Sequence, residues 1–136
     1  MKKRVCDAHA LIAYFEKEEG WEKVTDYFQQ AGASQAQLFL STVNYGEVFY
    51  ITLREAGREA AEAVISAIKA LPIQLVPVDE EIALTAARFK AKGGLSYADC
   101  FAAGLAAVIK AEVITGDPEF KKIQKEVRIA WIKNVY

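Results

Sequence analysis

The sequence predicts an α/β fold in which helices cover both faces of a central parallel sheet of about five short strands. Short apolar runs, which are typical of buried strands, alternate along the chain with longer segments whose apolar residues recur at helical spacing. Parallel strands need a crossover connection, and a helix is the usual one. The 136 residues contain no repeat or linker, so we expect one domain over residues 1–136.

The first half of the chain contains two predicted strands, each followed by two predicted helices. Both strands are short and apolar, and they lie at Lys3–Cys6 and Gln37–Leu40. In the helices, apolar residues recur three and four positions apart. These helices run from Ala8 to about Lys17, from Gly20 to about Gln30, from a Ser41 or Thr42 cap to about Glu55, and from Gly57 to near Leu71.

The second half contains three further predicted strands and their connecting helices. The strands are Ile73–Val78, Val113–Thr115 and Val127–Ile132. Because the first of them contains a proline, we expect it at an edge of the sheet. One helix begins at Asp79 and stops at Gly93, another begins at Ser96, and a short one begins at Asp117-Pro118. The helix after Ser96 is almost wholly apolar and should be the most buried.

Glu47 is the acidic residue that the local sequence explains least. It is the only charged residue between Phe39 and Leu53. Burying a lone carboxylate costs on the order of several kcal/mol, so this side chain needs a partner. A buried salt bridge is the structural alternative, but the predicted helix has no basic residue before Arg54. The functional interpretation is therefore favoured here.

Three other acids have an ordinary structural role available. Asp99 is the only charge in residues 95–109, but Ser96 and Asp99 match a helix capping box, so the structural and functional interpretations are balanced. Asp7 and Asp117 each follow a short apolar strand and precede a helix, where either could simply be an N-cap. Both nevertheless fall at the carboxyl ends of strands, where parallel α/β sheets bind ligands.

These four acids can converge on one crevice if their helices flank the same edge of the sheet. Carboxylates brought together in this way repel one another unless cations lie between them. Ligation by oxygen alone suits Mg²⁺ or Mn²⁺, ions that bind substrate phosphates and activate water for in-line phosphoryl displacement. The pattern therefore favours a metal site, although sequence spacing does not establish the convergence itself.

The composition excludes several other chemistries. Two cysteines and a single histidine, His9, exclude a zinc site built from thiolates or imidazoles. One histidine also excludes a ribonuclease that uses a pair of histidines. Cys6 and Cys100 lie in apolar surroundings, and we expect both to be buried and reduced.

Charge and hydropathy limit the partners and the location. A net charge of −1 gives no sign of nucleic-acid binding. Basic residues do cluster near the C-terminus, at Lys121, Lys122, Lys125, Arg128 and Lys133. A solvated helix face explains such a cluster better than a phosphate-binding surface does.

No apolar run reaches the roughly 20 residues of a membrane span. Acidic residues interrupt the apolar segment that follows the basic start of the chain, so we expect no signal peptide and a cytoplasmic protein.

Four segments that each contain one of the acids follow one another in order: VCDAHALIAYF, STVNYGEVFYI, LSYADCFAAGLA and VITGDPEF. Together they resemble the four acidic motifs of PIN-domain nucleases, and most closely those of the VapC toxins of bacterial and archaeal toxin–antitoxin pairs. The resemblance spans essentially the whole chain. Each motif alone is weak, whereas the ordered set at suitable spacing is strong, and it implies a PIN-like domain.

The resemblance assigns roles to seven residues of this chain. The metal-binding acids of the family fall on Asp7, Glu47, Asp99 and Asp117. Thr115 matches a position where the family often has a hydroxyl or amide near the metal, and Asn44 and Ser96 match polar positions beside the site. The chain departs from the family pattern at Ala8, where many members have Ser or Thr, and at Glu119, where many have Asp.

The resemblance also implies an activity and partners. It implies an endoribonuclease, dependent on Mg²⁺ or Mn²⁺, that cuts a structured RNA such as tRNA or rRNA, forms a homodimer and is inhibited by a small antitoxin protein. A PIN-like RNA-processing nuclease without a toxin role, or a non-catalytic module that only binds a partner, remains an alternative. A phospho-acceptor domain that uses Asp79 is disfavoured, because it needs paired acids after the first strand, where only Asp7 occurs.

Overall fold

The computed structural model describes residues 1–136 and contains one sheet of five strands, each parallel to its neighbours. The strands are β1 (Lys2–Cys6), β2 (Ala36–Ser41), β3 (Ile73–Val76), β4 (Glu112–Thr115) and β5 (Ile129–Trp131). Across the sheet they run in the order β3-β2-β1-β4-β5. The predicted α/β fold with a parallel sheet is confirmed.

Helices connect the strands in pairs, except for a single short helix before the last strand. They are α1 (Ala8–Glu16), α2 (Trp21–Gly32), α3 (Thr42–Ala56), α4 (Arg58–Ala70), α5 (Glu80–Lys92), α6 (Tyr97–Ile109) and a 3-10 helix (Pro118–Ile123). Every predicted element is present, with small differences at its ends. None of the helices has the length and apolar character that a membrane span requires.

The proline near β3 lies outside the sheet. β3 ends at Val76, so the predicted strand, which extended to Val78, was too long. Proline has no N–H to donate, and strand pairing therefore stops before Pro77. The predicted edge position of this strand is confirmed, because β3 is the first strand of the sheet order.

Two apolar layers pack against opposite faces of the sheet. Side chains alternate across a strand, so Val5 belongs to the layer with α5 and α6 while Cys6 belongs to the layer with α1 and α2. α6 is buried without a break from Cys100 to Ala106, as its apolar sequence predicts. Both cysteines are buried and neither forms a disulfide.

The carboxyl edge of the sheet is lined with helix N-caps. Asp7 directly follows β1, Ser41 is the last residue of β2, and Asp117 and Asp79 lie shortly after the ends of β4 and β3. Each of these side chains accepts a hydrogen bond from a backbone N–H in the first turn of the next helix. The positive ends of four helices therefore meet the same edge of the sheet.

Replacing Gly104 with alanine is predicted to destabilise the contact between α5 and α6. An added Cβ would lie 2.9 Å from the Ala86 backbone nitrogen and 3.2 Å from the Ile82 carbonyl oxygen, and backbone atoms cannot give way without moving the helix. We expect the free energy of unfolding, measured by urea denaturation, to fall by about 1–3 kcal/mol.

The matched control is Gly46→Ala in α3, where an added Cβ meets nothing within 4 Å. This variant should raise the free energy of unfolding by about 0.5–1 kcal/mol, because alanine loses less backbone entropy than glycine in a helix. Equal effects of the two substitutions would contradict the close packing at Gly104.

Candidate active site

A pocket of about 610 Å³ opens at the carboxyl edge of the sheet. Three of the predicted acids, Glu47, Asp99 and Asp117, line it. Asp7 is completely buried beside Ala8, a lining residue; burial raises its pKa, and the charges of Asp99 and Glu47 add to the rise. The structure thus brings the four acids together around one pocket.

The position of this pocket follows from the order of the strands. β1 pairs with β2 on one side and with β4 on the other, because the chain runs outward from β1 through β2 to β3 and then crosses to the other side of β1 for β4 and β5. A crevice forms at such a switch point, outside the carboxyl ends of the two diverging strands. Asp7 follows β1 and Asp117 follows β4, which places both acids at this crevice.

Asp7 has one carboxylate oxygen in use and one without a partner. Its Oδ1 accepts the Ala10 N–H at 2.8 Å, while Oδ2 is buried and makes no hydrogen bond. Burial raises the pKa of Asp7 well above its ordinary value, and the Thr115 hydroxyl and the Ala10 N–H oppose that rise. A buried oxygen without a partner is unfavourable, and either a cation or a proton would satisfy it.

Glu47 is held by Asn44 and has no ion-pair partner. The Asn44 amide is fully buried, and its Nδ2 donates to Glu47 Oε1 at 3.1 Å and to the Ala98 carbonyl at 3.0 Å. These two bonds tie α3 to α6 and fix the glutamate at the pocket. Burial raises the pKa of Glu47, the Asn44 contact lowers it, and the charge of Asp117 raises it again. The buried salt bridge that would have explained Glu47 structurally is not formed.

Only half of the predicted capping box forms around Asp99. Its N–H donates to Ser96 Oγ at 3.2 Å, but no hydrogen bond joins its carboxylate to the Ser96 N–H. The carboxylate is therefore left for the pocket. Burial raises the pKa of Asp99 to about 6 against the effect of the Ser96 hydroxyl, and repulsion from Asp117, Glu47 and Glu119 contributes to the rise.

Thr115 and Asp117 fix the backbone where β4 ends. Thr115 is fully buried, and its Oγ1 accepts the Asp117 N–H at 3.0 Å. Asp117 Oδ1 in turn accepts the Glu119 N–H at 2.9 Å and caps the 3-10 helix. Capping uses one oxygen of Asp117, so a structural role and a role in the pocket are compatible for this residue.

The carboxylates surround the pocket and do not form a closed cage. In this conformation no group of three or more His, Cys, Asp or Glu side chains is close enough to hold a metal ion. Like charges that are partly desolvated move apart when nothing neutralises them. Binding of an ion would therefore require rotations of these side chains toward one another.

Four further titratable residues line the pocket that the sequence does not assign to the site: His9, Glu18, Lys90 and Glu119. The His9 imidazole lies against Gly116, where an added Cβ would be 2.7 Å from Cε1, and its Nδ1 is buried without a partner. Burial and the charge of Lys133 lower the pKa of His9. The sequence does contain one indication of His9. It lies two positions after Asp7, so it must lie in the first turn of α1 at the same edge of the sheet.

The basic residues near the C-terminus do not share one surface. Lys122 reaches back to the rim of the pocket, where its Nζ donates to the Gly94 carbonyl at 3.2 Å and to Glu119 Oε2 at 2.8 Å. Lys133 lies close enough to His9 to shift its pKa. Lys125 and Arg128 line a different hollow. The expectation of one solvated helix face is therefore wrong, because the 3-10 helix ends at Ile123.

Comparison with known proteins identifies a family. The model of the PIN domain family matches residues 4–126. None of the curated proteins matches the chain in sequence.

Solved structures of toxin–antitoxin proteins share the fold. A DNA-bound VapBC from Salmonella typhimurium superposes with a TM-score of 0.76 at 18% identity, covering 98% of this chain and 100% of that one. A toxin–antitoxin complex from Klebsiella pneumoniae gives 0.70 at 14% identity, with 97% and 99% covered. VapC20 of Mycobacterium tuberculosis, a sarcin–ricin loop cleaving toxin, gives 0.70 at 14% identity, with 88% and 93% covered. At these identities the likeness is one of fold.

The stability of the cation-free protein is predicted to fall as the pH rises from about 4 to above 6. Because the pKa of Asp99 is raised from 3.8 to about 6, the folded state binds this proton more tightly than the unfolded chain. The resulting stabilisation is complete below the unfolded pKa and is lost as the pH rises through the folded one.

Asp99→Asn removes this titration and should make the pH profile measured by urea denaturation in EDTA less steep. Near neutral pH the variant should be more stable than the wild type by about 1–2 kcal/mol, a range that allows for screening of the half-exposed carboxyl by solvent. Identical profiles for the two proteins would contradict the repulsion at the pocket.

Proposed function

Because the chain belongs to the PIN domain family, we propose that it is a metal-dependent endoribonuclease and the toxin of a toxin–antitoxin pair. The observation that carries this proposal is the convergence of Asp7, Glu47, Asp99 and Asp117 on one pocket at the switch point of the sheet. The pocket is lined by five acids and a single lysine, and such an excess of carboxylates is a site for cations.

The donor set suits Mg²⁺ or Mn²⁺. All four side chains offer oxygen, and Asp7 Oδ2 is a buried carboxylate oxygen that has no partner within the chain. An ion held by these four acids would activate water and neutralise the charge that develops on a phosphodiester during in-line displacement. Burial raises the pKa values of Asp7, Glu47 and Asp99, and such an ion would relieve the mutual repulsion that adds to this rise.

The supporting residues act by fixing the acids in place. Asn44 orients Glu47 and links it to α6, the helix that carries Asp99. Thr115 and Ser96 fix the backbones of Asp117 and Asp99 through one hydrogen bond each. Pre-set geometry matters for this chemistry, because much of the rate enhancement in phosphoryl transfer comes from positioning and electrostatics.

The substrate and partner classes rest on the similar folds. One of those structures is a toxin–antitoxin complex, another is a DNA-bound VapBC, and VapC20 is a sarcin–ricin loop cleaving toxin. We propose by analogy that this chain cuts a structured RNA of the tRNA or rRNA class in the cytoplasm, forms a homodimer and is inhibited by a small antitoxin protein.

Cleavage of RNA is predicted to need both a divalent cation and Asp99. With labelled total RNA and Mn²⁺, Asp99→Asn should lower the cleavage rate by a factor of about 100 or more, because it removes a charged oxygen ligand. EDTA should abolish cleavage by the wild type. Circular dichroism should show that the variant keeps its fold.

The matched control is Asp79→Asn. Asp79 also follows a strand and caps a helix, but it lies beside the edge strand β3 and does not line the pocket. Asparagine is an equally good N-cap, so this variant should cleave at the wild-type rate. Wild-type cleavage by Asp99→Asn, or cleavage that persists in EDTA, would overturn the proposed chemistry.

Expression in bacteria tests the proposed toxin role. The wild type should arrest growth and produce discrete RNA fragments, whereas Asp7→Asn should do neither, because the amide keeps the N-cap but removes the charge. Asp79→Asn should arrest growth like the wild type. Growth unaffected by an active wild-type enzyme would favour an RNA-processing nuclease without a toxin role.

A further inference from the structure

The pocket repels the kind of substrate that it is proposed to cut. Five acids line it, and Lys90 is the only lysine or arginine among the lining residues. The Lys90 ammonium donates to the Leu95 carbonyl at 3.0 Å, and Lys122 at the rim is paired with Glu119. An RNA strand therefore finds few free cations there, and its affinity must come largely from another surface.

A cluster of basic residues lies at the opposite edge of the sheet. Two hollows of about 340 and 330 Å³ adjoin there, and Lys110 and Arg128 line both of them. Lys2 and Lys3 complete the first hollow and Lys125 the second. We call this surface the basic groove, formed by Lys2, Lys3, Lys110, Lys125 and Arg128. β1 and β4 begin beside it, and Arg128 immediately precedes β5.

The acids near the basic groove are already occupied. Glu112 is 12% exposed and accepts from Arg4 Nε at 2.8 Å. Arg4 is itself held beneath the surface, since its Nη1 donates to Gln30 Oε1 at 2.8 Å and its guanidinium lies 4.5 Å from the centre of the Tyr27 ring. Of the basic residues of the groove, Lys2 alone pairs with Glu112, with its Nζ 3.6 Å from Oε1.

The other groove acid, Glu126, pairs with Lys92 on α5. Lys3, Lys110, Lys125 and Arg128 consequently have no ion-pair partner. Clustered cations repel one another and destabilise a fold unless an anion lies between them. In a chain whose net charge is −1, this concentration of unpaired cations indicates an anionic ligand.

We propose that the basic groove binds the phosphate backbone of the RNA whose scissile bond enters the acidic pocket, an inference that rests on the proposed nuclease function. β1 joins the two surfaces, with Lys2 at its start and Asp7 just after its end. At the rise of a strand these residues are about 17 Å apart, but β1 is the central strand and is buried in its second half, so an RNA strand that contacts both surfaces passes around the molecule. Phosphate contacts at the groove hold the strand without reading its sequence.

Binding to a fluorescein-labelled oligouridylate of about 12 nucleotides tests this proposal. Binding is measured by fluorescence anisotropy in EDTA. EDTA removes divalent cations, so the RNA is not cleaved and the acidic pocket continues to repel it. The double variant Lys110→Gln/Arg128→Gln should weaken binding about tenfold at low salt and reduce the slope of log Kd against log salt by about 1.4, the value for two lost phosphate contacts to a single strand. Both side chains are exposed and free of ion pairs, so the fold should be kept.

The matched control is Arg58→Gln/Arg88→Gln, which makes the same change in net charge at exposed residues outside both hollows. It should leave the affinity and the salt slope close to those of the wild type. An unchanged slope in the groove variant, or equal losses in the two double variants, would overturn the proposal. Polyglutamate serves as a probe for an acidic protein partner. If the groove variant lost binding to polyglutamate but kept its binding to RNA, the proposal would also be overturned, in favour of such a partner.

Cleavage assays separate a failure of this proposal from a failure of the nuclease function. With Mn²⁺, the groove variant should cleave the long oligouridylate less efficiently through a raised KM, while its kcat stays near that of the wild type. A trinucleotide too short to reach the groove should be cut equally by both proteins. Groove-dependent binding without any cleavage would refute the nuclease function alone, and cleavage with a wild-type KM in the groove variant would refute the groove alone.

Discussion

The structure depends on holding four carboxylates together at one edge of the sheet although their charges repel one another. Burial and mutual repulsion raise the pKa values of Asp7, Glu47 and Asp99, so the site opposes folding unless protons or cations bind. The two apolar layers supply the opposing free energy. Asp99 shows how the two are linked, because Cys100–Ala106 of its helix are buried and the backbone that carries the carboxylate cannot move away without unpacking the core.

An aspartate at a helix N-cap can have a structural role and a chemical role at the same time. Asp7 and Asp117 each use one oxygen for a backbone N–H, which leaves the other for the pocket. Asp79 has the same local role after β3, yet it takes no part in the pocket. The difference between them is the place of the strand, since β1 and β4 are neighbours at the switch point and β3 is an edge strand.

Local patterns in the sequence predict the elements and single out Glu47, because periodicity and an isolated charge are properties of one segment. They do not predict what joins separate segments. The Asn44 amide reaches the Ala98 carbonyl, 54 positions away, and this bond decides where Glu47 points. The C-terminal basic cluster looks continuous in the sequence but is divided by the end of the 3-10 helix, while Lys3 and Lys110 meet only through the pairing of β1 with β4. Strand order sets these contacts, and no local pattern encodes it.

The parallel sheet also explains why opposite charges can be kept apart. All strands begin at one edge and end at the other, so residues before β1, β4 and β5 gather on one side of the molecule and residues after β1 and β4 gather on the other. Cations collect at the first edge and carboxylates at the second. On the proposed function, affinity for RNA then depends on salt through the basic groove, whereas cleavage depends on neutralising the acidic pocket. A fold that mixed the two sets would pair them as salt bridges and leave neither available to a ligand.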